Sequence, residues 1–132
     1  MTFSKYQQVA KTTAIYDSWH KKLQEKYSNN QEVLDDLELI FKALHISYTL
    51  MGLSGEVGEI MNKFKKVIRD SHGVLSDEKI ADFSKELGDT MWYQSAFAEE
   101  LNLDLDLVAE ENLEKLLSRK DRGVLNGSGD NR

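Results

Sequence analysis

Apolar residues in this chain recur every three or four positions almost from end to end, and strand-like alternation is scarce. That period places side chains on one face of an α-helix. Tyr6, Val9, Thr13, Tyr16 and Trp19 keep it near the start, which predicts a helix from Thr2 to about Lys26. Ser28-Asn29-Asn30 breaks the pattern. It resumes from about Gln31 to Asp70, first through Leu34, Leu37, Phe41, Leu44, Tyr48 and Met51, then through Leu50, Leu53, Val57, Ile60, Phe64 and Ile68. So long a run predicts a bend or short break near Glu38–Ala43. Asp70-Ser71-His72-Gly73 should end it.

Ser76 reads as an N-cap, with Asp77 and Glu78 in a first turn where the helix dipole favours acids. The helix that follows runs to about Leu101, its core stripe made by Ile80, Phe83, Leu87, Met91, Ala98 and Leu101. After a turn over Asn102–Asp106, capped by Asp104 or Asp106, a last helix covers about Leu107 to Lys120. The expected architecture is therefore all-α, a bundle of four to five helices in one domain over residues 1–122. A polar, glycine-rich tail follows over 123–132, with no internal repeat and no linker between folded units.

Composition narrows the function. A chain of 132 residues suffices for one domain with a core. There is no cysteine, hence no disulfide framework and no thiolate metal site. No apolar run nears the roughly 20 residues of a membrane span, and MTFSKYQQVAKTTAIY lacks the apolar stretch of a signal peptide. A soluble, cytoplasmic protein without a membrane partner is expected. The net charge of −6 argues against binding a nucleic acid polymer. A nucleotide substrate remains compatible, because a bound cation would reverse the local sign.

The acidic residues carry the chemistry. Gly55-Glu56-Val57-Gly58-Glu59 holds one pair, spaced E-x-x-E, and Lys85-Glu86-Leu87-Gly88-Asp89 a second, spaced E-x-x-D. Residues three apart share a helix face. In the first helix Leu50, Leu53, Val57, Ile60, Met61, Phe64 and Ile68 form an apolar stripe, whereas Glu56, Glu59, Lys63 and Lys66 fall together on another face. Glu86, Asp89 and Tyr93 project from the flank of the second. Two such helices packed face to face would gather four carboxylates, which repel unless a cation compensates them. Mg²⁺ suits an oxygen shell of this kind, with Mn²⁺ as the alternative. Glycine costs roughly 1 kcal/mol inside a helix relative to alanine. Gly52, Gly55 and Gly58 so close together call for another helix or a ligand near their backbone, and Gly88 removes bulk between Glu86 and Asp89. The plain alternative is solvated surface acid, with Glu59 and Lys63 as an ordinary i,i+4 ion pair. A di-iron bundle would need Glu-x-x-His motifs, and none of His20, His45 or His72 follows a glutamate by three.

At these residues the chain resembles the MazG-like all-α nucleoside triphosphate pyrophosphohydrolases, whose pattern is E-x-x-E, a gap, then E-x-x-D. Leu53–Ile60 and Glu86–Tyr93 look like the two signature helices, with Ile60 to Lys85, 26 residues, outside the pairs. Asn112-Leu113-Glu114-Lys115-Leu116 with Arg119 resembles the third, so the likeness covers about Ile46 to Arg122. It implies Mg²⁺-dependent hydrolysis of a (deoxy)nucleoside triphosphate to the monophosphate and pyrophosphate. Glu56, Glu59, Glu86 and Asp89 would be the metal ligands and catalytic residues, with Glu59 accepting the proton of the attacking water. Attack at the α or the β phosphorus gives the same products. Lys63, Lys66, Tyr93, Asn112, Lys115 and Arg119 would bind substrate. Trp19, His20 and His45 are candidates for the base, Trp92 for core or interface, and tail residues such as Asp130 and Arg132 for covering the site. Related enzymes of the same fold act on dUTP or phosphoribosyl-ATP, and a non-catalytic helical oligomer that binds nucleotide or a protein partner is a further reading. The long amphipathic helices expose more apolar surface than a small monomer tolerates, so a homodimer or homotetramer is expected to complete the bundle.

Overall fold

A computed structural model of the chain describes residues 1–16 and 18–126, with Trp19 described by its backbone alone. Among these residues there are five helices and no strand: α1 (Phe3–Lys11), α2 (Ser18–Lys26), α3 (Gln31–Ser71), α4 (Asp77–Glu100) and α5 (Leu105–Asp121). None is long and apolar enough to cross a membrane.

The single N-terminal helix expected from Thr2 to Lys26 is two. Thr2 caps α1 by accepting the Lys5 N–H at 3.1 Å. The helix then stops because consecutive threonines take back its last carbonyls: Thr12 Oγ1 donates to Val9 O and Thr13 Oγ1 to Ala10 O, both at 2.7 Å. Tertiary bonds fix the break. Trp92 Nε1 donates to Thr13 Oγ1 at 2.7 Å, and the Tyr16 hydroxyl to Glu100 Oε1 at 2.6 Å. The expected stripe shifts with it, for Val9 is exposed while Gln7 and Ala10 are the buried residues of α1.

Asn30 caps α3, accepting the Val33 N–H at 3.2 Å. The helix then runs 41 residues without the break expected near Glu38–Ala43, about 60 Å at 1.5 Å per residue. Both halves are supported, the first by α2 and the second by α4. It ends where foreseen, with His72 left-handed (φ 51°) and Gly73 likewise (φ 83°). Ser76 caps α4 through the Lys79 N–H at 3.3 Å. Asp104 caps α5 through the Asp106 N–H at 2.9 Å, so the helix begins at Leu105, two residues ahead of the expected start at Leu107.

Helices α3 and α4 form an antiparallel hairpin that dominates the packing. Its register is read from residues that meet across the seam: Lys63 with Glu86, Gly52 with Tyr93, His45 with Glu100. The face of α3 turned into the seam carries Thr49, Gly52, Leu53, Glu56, Ile60, Lys63 and Val67, each buried or half-buried. This corrects the expected core. Leu50, Val57, Met61, Phe64 and Ile68 are 42–68% exposed, and Ile80 and Leu87 of α4 are more than half exposed. The rest of the expected core holds: Leu53 and Ile60 of α3 and Phe83 and Met91 of α4 are half-buried and Ala98 is buried, so the seam takes part of each apolar stripe together with Glu56, Lys63 and Glu86.

Helix α1 lies across α4 and ties the α4–α5 turn in place. Gln7 donates to Leu103 O at 2.9 Å and accepts the Leu105 N–H at 3.4 Å. The Phe3 N–H, an unpaired first-turn donor of α1, binds Asp106 Oδ1 at 2.8 Å, and the Ser4 hydroxyl binds Asp104 Oδ1 at 2.7 Å. The neighbouring Ser4 hydroxyl holds the Asp106 carboxyl below the ordinary carboxylate range. Burial works against that, and the Phe3 and Ser4 N–H groups and the Thr2 hydroxyl assist.

Among the four central glycines only Gly52 faces a close neighbour. A Cβ there would lie 2.0 Å from Cε1 of Tyr93, whereas nothing stands within 4 Å of one at Gly55, Gly58 or Gly88. Of the helix or ligand approach expected at Gly52, Gly55 and Gly58, the described residues supply a close neighbour at Gly52.

Two outcomes follow in thermal unfolding. Gly52→Ala should lose roughly 1–3 kcal/mol through overpacking, despite a helix-propensity gain of about 1 kcal/mol, while Gly55→Ala keeps that gain. A Gly52→Ala protein that melts above wild type would show that the Tyr93 ring does not lie on α3. For Asp106 the depressed carboxyl contributes stability that is present above its unfolded pKa and lost as pH falls through the folded one. Asp106→Asn should therefore flatten the acid limb of the stability profile and leave a protein less stable near neutrality; an unchanged acid limb would refute the clamp.

Candidate metal centre

Spacing and register together build the site. On α4 the E-x-x-D spacing sets Glu86 and Asp89 one turn apart, and the antiparallel register brings Glu56 of α3 opposite them. One oxygen from each of Glu56, Glu86 and Asp89 lies within 4.8 Å of the others. Glu86 is buried, Glu56 half-buried and Asp89 exposed, so the cluster opens toward solvent on one side. Burial raises the Glu56 carboxyl above its ordinary range, and the charges of Asp89, Glu59 and Glu86 raise it further. Mutual repulsion of this kind is relieved by a cation. The donors are all hard carboxylate oxygens, without histidine or cysteine, which fits Mg²⁺ or Mn²⁺.

Glu59 stands outside the cluster. It is exposed on α3, one turn from Glu56 and close enough for its charge to act on Glu56 and on Lys63. Lys63 does not form the i,i+4 pair with Glu59 that its spacing suggests. Its ammonium crosses the seam to Glu86 Oε1 at 2.5 Å, because the buried carboxylate has lost its water and the exposed one has not. That hydrogen bond raises the Lys63 ammonium above its usual range.

Tyr93 sits one turn beyond Asp89 with its ring on Gly52. Burial, then the neighbouring Tyr48 hydroxyl, then the fields of Glu56 and Asp89 raise its phenol above the ordinary range. Tyr48, which the pattern sets only in the helical period of α3 and not among the site candidates, is 44% exposed, with its ring centre 6.4 Å from that of Tyr93. The available signal was its place on the row Tyr48, Gly52, Glu56, four residues apart. Tyr6 of α1 is also raised, by burial and then by Asp89.

The remaining candidates lie elsewhere. Lys66 is exposed on α3, its charge acting on Asp70. Helix α5 packs chiefly on α1. Asn112 accordingly lines a cavity of about 200 Å³ with Phe3, Tyr6, Met91 and Gln94. Lys115 is exposed and Arg119 buried on the same helix. His20 and His45 line a larger cavity of about 570 Å³ with Tyr16, Lys42 and Glu100. His20 stacks on Phe41 (ring centres 4.1 Å apart), and His45 lies eleven residues along α3 from Glu56, about 16 Å of helix. Trp92 is off the acidic face, edge-on to Tyr93 at 4.9 Å. The Trp19 side chain, Asp130 and Arg132 lie outside the described residues.

Comparison with known proteins agrees with this geometry. The MazG nucleotide pyrophosphohydrolase domain matches residues 45–124, which include both acidic pairs and the third motif helix. Over 87 residues, 66% of this chain and 76% of the relative, the sequence is 55% identical to the "Gene 37 protein" of Mycobacterium phage L5. No solved structure matches. An all-α fold, paired acidic motifs on two facing helices and a match over more than half its length identify the chain as a member of the MazG nucleotide pyrophosphohydrolase family.

Proposed function

We propose that the chain hydrolyses (deoxy)nucleoside triphosphates to the monophosphate and pyrophosphate, with Mg²⁺ held by Glu56, Glu86 and Asp89. The observation that carries this reading is the approach of those three oxygens to within 4.8 Å, from the two helices that bear the family's paired motifs. A cation bound there would neutralise phosphate oxygens and activate water. Glu59, adjacent to the cluster but outside it, is the carboxylate left to accept the proton of the attacking water. The protonated Tyr93 phenol offers a hydrogen bond beside the carboxylates, and the exposed Tyr48 ring continues the row toward the nucleoside. Water adds at the α or the β phosphorus, its proton passes to Glu59, the phosphoanhydride bond between the two breaks, and monophosphate and pyrophosphate separate.

A second copy of the chain completes this proposal. The apolar stripe Leu50, Val57, Met61, Phe64 and Ile68 runs along α3 and is 42–68% exposed, although Phe83 of α4 meets Phe64 with ring centres 6.3 Å apart, a larger apolar face than a monomer ordinarily exposes. Asn112, Lys115 and Arg119 stand on a helix that packs chiefly on α1. An isologous pair formed on the α3 stripe would cover the apolar face and bring further helices to each centre.

The decisive experiment incubates the protein with each natural NTP and dNTP plus Mg²⁺, with and without EDTA, and separates the products. Monophosphate and pyrophosphate from a subset, abolished by EDTA, are expected. Glu59→Gln should lower kcat by about 100-fold or more and keep divalent-cation binding, whereas Asp89→Asn should weaken both. No turnover of any triphosphate would favour a binding role, and full activity in both variants would dismiss the site. Sedimentation should give at least a dimer at micromolar concentration, and Met61→Asp or Phe64→Asp should dissociate it. A monodisperse wild-type monomer would refute the assembly.

A further inference from the structure

The carboxylate cluster contains a cation of the chain's own. Lys63 Nζ lies 2.5 Å from Glu86 Oε1, and Glu86 is the most buried of the three carboxylates. The side chain of Lys63 is 32% exposed and that of Glu86 only 10%, so the ammonium reaches inward from the rim to a carboxylate that water hardly touches. Glu59, four residues earlier on the same helix and in solvent, is the easier partner by spacing. The inward choice shows where negative charge is least compensated. Three carboxylates held together need a positive partner, and in the chain alone Lys63 supplies it.

We propose that Lys63 is a tethered counter-ion: its ammonium takes the cation's place on Glu86 in the metal-free protein and competes with metal for that carboxylate. Once displaced, it is released at the rim to hold a substrate phosphate. The proposal rests on reading the cluster as a metal centre. A tethered competitor acts at a fixed effective concentration, so it sets the divalent-cation level at which the centre fills and keeps the empty centre from driving α3 and α4 apart. Lysine suits this exchange, being a compact point charge on a flexible stem without the bidentate grip of arginine.

The sign of one measurement separates this role from a merely structural one. Removing a lysine that only props the seam loosens the site and weakens metal binding; removing a competitor strengthens it. The test is a Mn²⁺ titration of the full chain without nucleotide, by calorimetry or electron paramagnetic resonance, on wild type, Lys63→Met, Lys63→Gln and Lys85→Met. Lys85 is a fair control for net charge, since it adjoins Glu86 in sequence but pairs with Asp82 at 3.3 Å. Both neutral variants at position 63 should bind Mn²⁺ at least about tenfold more tightly than wild type, the scale of a lost charged hydrogen bond. Lys85→Met should shift binding much less. In the absence of metal the position-63 variants should melt below wild type, and saturating Mn²⁺ should close the gap. Position-63 variants that bind no more tightly than Lys85→Met would overturn the proposal while leaving the metal centre intact. A wild-type chain that binds no Mn²⁺ would overturn both.

Discussion

Like charges held within 4.8 Å of one another across the α3–α4 seam are the constraint on which the rest of the structure depends. A protein this size could have packed its two longest helices through their apolar stripes. It admits acidic side chains to the seam beside Leu53, Ile60 and Val67, and the neighbouring features answer to that choice. Lys63 spans the seam to neutralise the most buried carboxylate. Gly52 gives up its side chain so that the Tyr93 ring can lie beside the cluster. Thr49 and Thr90 are buried in the seam, each returning its hydroxyl to a carbonyl of its own helix, at 2.9 and 2.8 Å. Their polar groups are thereby satisfied where water cannot reach them.

The cost of a polar seam appears on the outside. With acids facing inward, Leu50, Val57, Met61, Phe64 and Ile68 stay 42–68% exposed. Among the described residues the largest fully buried side chains are Phe41, Val67, Thr49 and Ser95, two of them polar. Burial of apolar surface is the main force that holds a domain together, and here much of it remains to be used. An unspent apolar face and a charged interior are two consequences of one helix orientation.

Helix α1 shows how short segments stiffen such an arrangement without a large core. Its first N–H groups have no partner within their own helix, and Asp106 takes one of them. Gln7 uses both ends of its amide on the α4–α5 turn. The N-terminal segment, which carries little of the family likeness, thus holds the start of the third motif helix in place.

Periodicity and punctuation were legible in the chain itself. The period of 3.6, the absence of proline, the break at Ser28-Asn29-Asn30, the cap at Ser76 and a cap at Asp104 or Asp106 determined an all-α fold and most helix ends, because these are local preferences of backbone and side chain. The paired acidic motifs were legible for the same reason, since a spacing of three on a helix fixes a shared face. Tertiary structure alone decided which face meets which. It fixed the break after α1, where Trp92 pairs with Thr13 and Glu100 with Tyr16 from far away in sequence. It gathered Glu56, Glu86 and Asp89 while leaving Glu59 at the edge, because the helical phase of Glu59 points it out of the seam. It sent Lys63 to Glu86 and not to Glu59, because desolvation differs between two glutamates that are identical as letters. Spacing reports angles around one helix axis; the charge and water at the end of each side chain depend on the neighbour packed against it.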